Sequence, residues 1–452
     1  MAARFGTDGV RGVANEAVTP ELALALGRAV VSVLGVDRVV TGRDTRLSGP
    51  MLESAVLAGA ASQGARAQSM GVAPTPAVAH RCVIDAATAG VVISASHNPF
   101  SDNGLKVFAP GGNKLSDEQQ SAMEEVLQSL LDSGDSAGAT AVPPRAGAEH
   151  VGTTGVLEDP LGPYGAALVA TLEGRTLDGL SLVLDCANGA NSTLAPRLLR
   201  SLGATLEVIA DHPDGVNIND GCGSNHPEGL AASVVGRSAD LGVAFDGDAD
   251  RIAAVDHTGR LIDGDHLMAM CAIDLHERGL LANDTVVVTV MTNLGFRRAM
   301  ESHGISVVET SVGDRHVLEA LRSGGHSLGG EQSGHIVFTG HSTTGDGLLS
   351  ALMVLDLLKR SGRTLVDLAD AAMTRLPQVL VNVAVGNPMP DVAERLAQQI
   401  GAAADRLAGD GRVLLRPSGT EPVVRVMVEA DSEELARKVA GDLADSVAAA
   451  SD

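Results

Sequence analysis

Three aspartates at alternate positions could bind a metal ion. Asp246, Asp248 and Asp250 come directly after residues 241–245, an apolar run typical of a buried strand. Side chains two residues apart in an extended chain point the same way, so we expect the three carboxylates to converge. Such a cluster suits a hard cation such as Mg²⁺, and an EF-hand is excluded because Arg251 occupies the loop position that needs glycine. A solvated acidic turn is the alternative.

A serine follows a second apolar run. Residues 89–93 are typical of a buried strand, and Ser96 comes shortly after them in a polar turn that ends at Pro99. Ligands bind at the carboxyl ends of strands in α/β proteins, so we expect an exposed Ser96 hydroxyl that can react. A turn that merely leaves the sheet is the alternative. Neighbours in an extended chain point to opposite sides, so Ser96 and His97 are not expected to act as nucleophile and base.

A loop near the C-terminus could bind phosphate. Residues 416–422 lie between two predicted strands and combine an arginine, two hydroxyls and a glycine that frees a backbone N–H. These groups suit a phosphate dianion, whereas a plain hairpin loop is the alternative. The candidate phosphate ligands are Arg416, Ser418, Gly419, Thr420 and Arg425.

Two further stretches carry polar groups. Glu331 and Ser333 are two residues apart between glycines, an arrangement that suits hydrogen bonds to sugar hydroxyls. Lys106 follows Ser96 by ten residues on a predicted hairpin. A lysine on an exposed hairpin is usually solvated, so the role of Lys106 depends on its neighbours.

Composition limits the classes of function. The chain has 452 residues, which predicts two to four domains. Aromatic residues make up 2% with no tryptophan, so stacking platforms for single-stranded nucleic acid are absent from the sequence. A net charge of −23 opposes a polyanionic partner, although a local cleft lined by Arg and Lys can still bind a small anion.

The cysteines and the N-terminus bear on location. The four cysteines are far apart and form no C-x-x-C pair, which argues against structural zinc and disulfides and fits a reducing compartment. The sequence has no apolar leader and no apolar run of about 18 residues. We therefore predict a cytoplasmic protein that binds neither membrane nor nucleic acid. P-loop, dinucleotide-binding and α/β-hydrolase motifs are also absent from the sequence.

The organisation of the chain predicts an α/β fold. Three segments, beginning near residues 38, 180 and 285, each read as a strand, a polar loop, a helix that ends at glycine and a second strand. They predict three related βαβ domains with mixed sheets. Residues 132–155 read as a surface connection. Residues 379–448 predict a small C-terminal α+β domain, with one helix over 391–407.

The motifs together, in this order, resemble the α-D-phosphohexomutase superfamily. Four stretches are most similar to its phosphoglucosamine mutase branch: residues 5–12, 94–99, 217–224 and 330–333. The resemblance implies four domains around a central cleft, each contributing one signature loop. We expect these domains at residues 1–156 (phosphoserine loop), 157–257 (metal loop), 258–374 (sugar loop) and 375–452 (phosphate loop).

The resemblance also implies a role for each candidate residue. Ser96 would be the phosphoserine, activated by phosphorylation, and one Mg²⁺ per chain would bind Ser96 and the three aspartates. Arg251 would stabilise the charge of the transferring group. The candidates for moving the proton of the sugar hydroxyl are Lys106, Arg11 and His335. Glu331 and Ser333 would hold sugar hydroxyls, and the C-terminal loop would hold the phosphate that is not reacting.

The implied reaction consists of two phosphoryl transfers. Ser96 would phosphorylate glucosamine-6-phosphate, the resulting sugar 1,6-bisphosphate would turn over, and the other phosphate would return to serine. The bisphosphate would also serve as an activator. A phosphomannomutase/phosphoglucomutase is the alternative within the superfamily, and an aspartyl-nucleophile phosphatase or a non-catalytic phosphosugar sensor is the alternative outside it. A homodimer is compatible with the sequence, which does not define the oligomeric state.

Overall fold

The computed structural model describes residues 9–133, 143–387, 389–417 and 422–451. The described residues divide into two compact units, one within 1–290 and 305–369, the other within 291–304 and 370–452. No helix in these described ranges is both long and apolar enough to cross a membrane.

Strands and helices are distributed along the whole described chain. The strands are β1 (Val10–Val13), β2 (Arg38–Arg43), β3 (Arg66–Val72), β4 (Thr88–Ile93), β5 (Asp102–Ala109), β6 (Asn113–Lys114), β7 (Thr154–Val156), β8 (Ser181–Asp185), β9 (Thr205–Ile209), β10 (Leu241–Phe245), β11 (Ile252–Asp256), β12 (Leu261–Ile262), β13 (Thr285–Thr289), β14 (Ser306–Thr310), β15 (Leu328–Gly330), β16 (Ile336–Phe338), β17 (Gln378–Ala384), β18 (Arg412–Pro417) and β19 (Val423–Glu429). The helices are α1 (Pro20–Leu34), α2 (Gly49–Ser62), α3 (Thr75–Ile84), α4 (Asp117–Ser133), α5 (Gly162–Ala170), α6 (Leu194–Ser201), α7 (Glu228–Arg237), α8 (Gly264–Glu277), α9 (Leu294–Ser302), α10 (Asp314–Gly324), α11 (Gly347–Ser361), α12 (Leu365–Ala372), α13 (Val392–Arg395), α14 (Ala397–Arg406) and α15 (Glu433–Ser451).

Three sheets of the first unit share one strand order. Within them the orders β3-β2-β4-β5, β9-β8-β10-β11 and β14-β13-β15-β16 correspond position by position. In each, the first three strands are parallel and the fourth is antiparallel. Parallel neighbours need a long crossover connection, which the alternating helices provide. The predicted fold class, three related βαβ repeats with mixed sheets, is confirmed.

The repeated topology places the sequence motifs at one equivalent position. The connection between the third and fourth strand contains Ser96 in the first repeat, the three aspartates in the second and Glu331 in the third. Each connection begins at the carboxyl end of a strand within the parallel part of its sheet, where α/β proteins bind ligands.

Packing fixes the strand that leads to Ser96. Every residue of β4 is buried, and Val91 and Ile93 lie in a continuous core with Leu26 of α1 and Val56 of α2. Burial of one such aliphatic side chain stabilises the fold by about 1.5–3 kcal/mol. The start of the serine turn is therefore held by the core.

The second unit contains the antiparallel sheet β17-β19-β18, as expected for a C-terminal α+β domain. One prediction of local structure is wrong. The single helix expected over 391–407 is interrupted at Leu396, whose buried backbone has φ −105° and ψ 20°. In the first unit, the described residues 143–155 of the surface connection expected over 132–155 are exposed or half-buried, as predicted, and the last two of them begin the short strand β7, which is parallel to β3.

Candidate active site

Ser96 lies in a tight turn after β4. Its backbone is left-handed, with φ 53°, and its N–H donates to Ser94 Oγ at 2.9 Å. The Ser96 hydroxyl donates to Asp246 Oδ2 at 2.5 Å. We expected an exposed hydroxyl, but the residue is only 1% exposed. That prediction is wrong because Asp246 and Gly247 pack directly on the serine: a Cβ on Gly247 would lie 2.6 Å from Ser96 O.

The three aspartates converge after β10. One carboxylate oxygen from each of Asp246, Asp248 and Asp250 lies within 4.8 Å of the others, and all three residues are buried. The expected extended alternation is not the cause, because the chain turns here: Ala249 N donates to Asp246 O at 3.0 Å and Ala249 has φ 61°. The predicted convergence is therefore present, but a turn produces it.

Lys106 supplies a buried positive charge to this cluster. It lies on β5, is 3% exposed, and its Nζ donates to Asp248 Oδ2 at 2.8 Å and to Asp250 Oδ2 at 3.3 Å. Thr75 Oγ1 also donates to Asp248 Oδ2, at 2.6 Å. Although burial alone would raise it, Lys106 and then His335 hold the pKa of Asp250 well below its usual range. Lys106 is thus a member of the cluster and not a solvated hairpin lysine.

The donor atoms of the cluster fit Mg²⁺. The Oδ1 atoms of Asp248 and Asp250 are buried and have no hydrogen-bond partner within the described part of the chain, whereas the Oδ2 atoms are occupied by Lys106. Burial, followed by repulsion from Asp250 and Asp248, raises the pKa of Asp246 to about 8. Carboxylate oxygens are the hard ligands that Mg²⁺ prefers, and two of these three buried acids have an oxygen without a hydrogen-bond partner among the described residues. The residues present therefore fit this metal.

Arg251 and His97 border the serine. Arg251 Nη1 lies 3.2 Å from His97 Nδ1, and since a guanidinium only donates, His97 Nδ1 accepts. Ser96 Oγ lies 3.3 Å from the same nitrogen. Burial, and then the charges of Arg251 and Arg11, lower the pKa of His97 to about 4. Sequence reasoning placed His97 on the opposite side from Ser96, which is wrong because the left-handed serine departs from extended geometry.

Arg11 lies on the strand next to Lys106. It pairs with Gly104 in the β1–β5 ladder, two residues before Lys106, and its side chain is half-buried. The charge of Arg11 contributes to the lowered pKa of His97, so Arg11 lies near the serine turn. Its predicted part in proton transfer stays a prediction.

The loop between β15 and β16 contributes side chains of different exposure. Glu331 Oε1 accepts from Gly313 N at 3.1 Å, whereas Ser333 is exposed. His335 is buried, with Nδ1 3.7 Å from Asp250 Oδ1 and Nε2 accepting from Gly345 N at 3.1 Å. Both ring nitrogens of His335 thus face protein groups. This geometry suits a side chain that supports Asp250, and its predicted role in proton transfer stays a prediction.

The second unit contains the predicted phosphate ligands. Arg416 on β18 and Arg425 on β19 are directly opposite in the antiparallel ladder, and both are half-buried. Ser418, Gly419 and Thr420 lie outside the described residues. Like charges at opposed positions destabilise a sheet, so this pair suits a site that binds an anion.

Four domain descriptions of one family match the chain in order. Phosphoglucomutase/phosphomannomutase alpha/beta/alpha domain I matches residues 2–132, domain II matches 164–259 and domain III matches 263–376. The C-terminal domain of the same family matches residues 380–446. Together these matches cover most of the chain. The four domain boundaries expected from the sequence stay a prediction.

Curated relatives are similar over the whole length. The phosphoglucosamine mutase of Frankia casuarinae is 52% identical over 459 aligned residues, which cover 98% of each chain. The phosphoglucosamine mutase of Streptomyces coelicolor is 51% identical over 466 aligned residues, which cover 100% of each chain.

Solved structures share the fold. A putative phosphomannomutase from Thermus thermophilus superposes with a TM-score of 0.78 at 24% identity, covering 99% of each chain. The N-acetylphosphoglucosamine mutase of Aspergillus fumigatus, crystallised with GlcNAc-6P and magnesium, superposes with a TM-score of 0.71 at 21% identity, covering 99% of this chain and 96% of that one.

Proposed function

The chain belongs to the phosphoglucomutase/phosphomannomutase family, and from this membership we propose that it is a phosphoglucosamine mutase. It is then an isomerase that interconverts glucosamine-6-phosphate and glucosamine-1-phosphate. The observation that carries the proposal is the Ser96 hydroxyl, 2.5 Å from Asp246 within a cluster of three buried acids. Whole-length identity of 52% to a phosphoglucosamine mutase supports the choice of the amino sugar.

Ser96, once phosphorylated, would transfer its phosphoryl group to a free sugar hydroxyl. The bond between phosphorus and Ser96 Oγ breaks, a bond to the sugar oxygen forms, and the proton of that hydroxyl moves to a base. The product of this half-reaction is a sugar 1,6-bisphosphate. It turns over and returns its other phosphate to Ser96, and the net result is isomerisation. Lys106, Arg11 and His335 remain the candidates for the proton.

One Mg²⁺ per chain, when bound, supplies positive charge to the oxygens of the transferring group. Asp246, Asp248 and Asp250 would hold it together with Ser96. Lys106 bonds to the Oδ2 atoms of Asp248 and Asp250, which leaves the Oδ1 atoms of these two acids to bind the metal. Arg251, directly after the acids, adds a second fixed positive charge.

The remaining candidates would recognise the rest of the substrate. Glu331 and Ser333 would bind sugar hydroxyls that look alike in both orientations of the bisphosphate. The C-terminal loop with Arg416 and Arg425 would bind the phosphate that is not reacting. The proposal includes a cytoplasmic location, which four cysteines without disulfides support. A homodimer stays a prediction.

An isomerase assay tests the proposal. We expect the purified protein, with Mg²⁺ and a trace of glucose 1,6-bisphosphate, to convert glucosamine-6-phosphate to glucosamine-1-phosphate. Intact-mass spectrometry should show the gain of one phosphoryl group, mapped by peptide analysis to Ser96. We expect Ser96→Ala to abolish both signals, and Ser101→Ala, which changes a neighbouring exposed serine, to keep both.

The same assay separates the alternatives. Faster turnover of glucose or mannose phosphates would contradict the choice of glucosamine. An aspartyl-nucleophile phosphatase would release inorganic phosphate, would keep activity in Ser96→Ala and would lose it in Asp246→Asn. Binding of the sugar phosphate without conversion under any of these conditions would favour a sensor.

A further inference from the structure

We propose that Arg46 and Asn219 are positioning residues of the phosphoryl transfer, which hold the main chain of the serine turn so that Ser96 Oγ faces Asp246. This inference rests on the proposed function. Arg46 follows β2 and Asn219 lies in the segment 217–224 before α7. Neither residue needs to touch the substrate for this role.

Arg46 binds the carbonyl groups of the serine turn. Its side chain is completely buried. Its Nη2 donates to Ser96 O at 2.9 Å and to Asn98 O at 2.8 Å. Its Nη1 donates to Asp102 O at 3.0 Å and to Pro99 O. One planar guanidinium thus fixes four carbonyls of a single turn, which the point charge of a lysine cannot do.

Asp44 connects this guanidinium to the other peptide group of Ser96. Asp44 Oδ2 accepts from Arg46 Nε at 2.8 Å and from Ser94 Oγ at 2.5 Å. Ser94 Oγ in turn accepts from the Ser96 N–H at 2.9 Å. One buried ion pair therefore controls both the N–H and the C=O of the reactive serine.

Asn219 binds the same two carbonyls from another repeat. Its Nδ2 donates to Ser96 O at 2.9 Å and to Asn98 O at 3.2 Å. Its own N–H donates to Ala187 O at 2.9 Å, in the loop that follows β8. Because this repeat also carries the three aspartates, Asn219 ties the serine turn to the repeat that supplies Asp246.

The serine turn needs this external support. A left-handed backbone at a residue other than glycine costs about 1–2 kcal/mol, so Ser96 keeps φ 53° only where its surroundings impose it. A misplacement of about 1 Å at a reacting atom can reduce turnover by about 100-fold. The hydrogen bonds that Arg46 and Asn219 donate to the serine turn therefore affect the rate of the reaction even when the fold is intact.

The first test compares two asparagines of one segment. Asn219→Ala removes the donor without adding charge, and the isosteric Asn219→Asp replaces it with a carboxylate oxygen that repels the two carbonyls. Asn217 bonds within its own loop, to His212 O at 3.0 Å and Asp214 N at 3.1 Å. For Asn219→Asp and Asn219→Ala we expect kcat to fall about 10–100-fold and KM for glucosamine-6-phosphate to change less than about threefold. Phosphorylation of Ser96 by glucose 1,6-bisphosphate, followed by intact mass, should slow by the same factor. Asn217→Ala should keep kcat.

The second test compares Arg46, which follows β2, with Arg38, the first residue of β2. Arg46→Lys keeps the charge beside Asp44 but loses the planar donor set, so we expect kcat to fall by about 100-fold with little change in KM. Arg38→Lys is the control, because Arg38 is exposed and its Nη1 donates to Asp85 Oδ2 at 3.0 Å. Melting temperature and the fraction of molecules that can be phosphorylated are measured for every variant. If Arg46→Lys does not fold, the Asn219 variants decide.

Two outcomes would overturn the inference alone. One is a wild-type mutase whose Asn219 and Arg46 variants keep kcat. The other is a loss of activity fully explained by a smaller folded fraction, with normal kcat per phosphorylatable molecule. A wild-type protein without isomerase activity would overturn the proposed function and this inference together.

Discussion

Two regions of the molecule gather charges of one sign, and they do so differently. The first unit brings together three buried acids, Asp246, Asp248 and Asp250, and Lys106 bonds to the last two of them. The second unit places Arg416 opposite Arg425 across two strands, half-buried. Like charges at close range destabilise a fold, so both arrangements are expected at sites for a ligand of opposite charge.

The difference between the regions lies in burial, because the three carboxylates are buried and the two arginines are half-buried. The carboxylates are fixed by a turn, a lysine and the serine hydroxyl, and two of their oxygens stay open. Such a rigid, buried set suits a small ion that must occupy one position. The arginines lie at opposed positions of two strands, and a guanidinium can bind an anion through two parallel donors. Under the proposed function, the acid cluster would serve the phosphoryl transfer, and the arginine pair would hold the phosphate that is not reacting.

The largest effect is expected from a substitution in the cluster of three aspartates. Asp248→Asn removes a charged oxygen ligand and a partner of Lys106, so we expect kcat to fall at least about 1,000-fold, as for other losses of transition-state charge stabilisation. Mg²⁺ affinity, measured by calorimetry in the absence of sugar, should fall at least about 10-fold. Asp256→Asn is the matched control, since Asp256 is equally buried but bonds to Thr258 and Arg260.

Measuring both kcat and Mg²⁺ affinity distinguishes loss of a metal ligand from loss of folded protein. If Asp248→Asn binds Mg²⁺ normally and keeps more than about a tenth of kcat, the three acids are not the metal site. If Asp256→Asn loses as much activity as Asp248→Asn, the effect reflects loss of a buried acid and not of a ligand.

An intermediate effect is expected at the pair of opposed arginines in the second unit. Arg416→Gln removes one donor for the distal phosphate, so we expect KM for glucosamine-6-phosphate to rise about 10–100-fold with a smaller change in kcat. Arg406→Gln, which loses a surface pair with Asp442 in the same unit, controls for net charge. A kcat loss as large as that of Asp248→Asn, with unchanged KM, would contradict the assignment of Arg416 to substrate holding.

The sequence predicted the strand-end loops better than the contacts inside them. Apolar runs followed by polar turns located Ser96 and the three aspartates, because strand ends are encoded locally. The left-handed backbone of Ser96 was not predicted, so the proximity of His97 was missed. The burial of Ser96 was missed because Asp246 and Gly247, which pack on it, lie about 150 residues away in the sequence. A local signal could have indicated a turn, but not its handedness.

Contacts at long range were beyond local patterns. Arg46 bonds to carbonyls about fifty residues away, and Asn219 to the same carbonyls more than a hundred residues away. Backbone carbonyls leave no trace in residue type, so neither partner was visible in the sequence. The common position of three loops, after the third strand of each repeat, became clear only from strand order.

The smallest effect on activity is expected at Asp346, a buried acid outside the cluster, whose substitution should change stability. Asp346 can be compared with the three acids that would bind the metal. Asp346 caps α11 by accepting from Leu349 N at 2.9 Å, and Tyr164 Oη donates to both of its oxygens at 2.9 Å. Burial raises the pKa of Asp346 from 3.8 to about 6. The folded state therefore binds more protons than the unfolded state within this window, and stability falls as pH rises through it.

Asp346→Asn should remove this part of the pH dependence. An amide does not titrate and can keep the cap, so the free energy of unfolding of the variant relative to wild type should rise by about 1–3 kcal/mol between pH 4 and pH 7. Tyr164→Phe is the opposite control, because losing the hydroxyl donor raises the pKa of Asp346 further and steepens the decline. Denaturation with urea across this pH range, without Mg²⁺, measures both. If the free energy of unfolding of Asp346→Asn relative to wild type stays constant with pH, Asp346 is already ionised in the folded state at pH 4. Burial then does not raise the pKa of this acid.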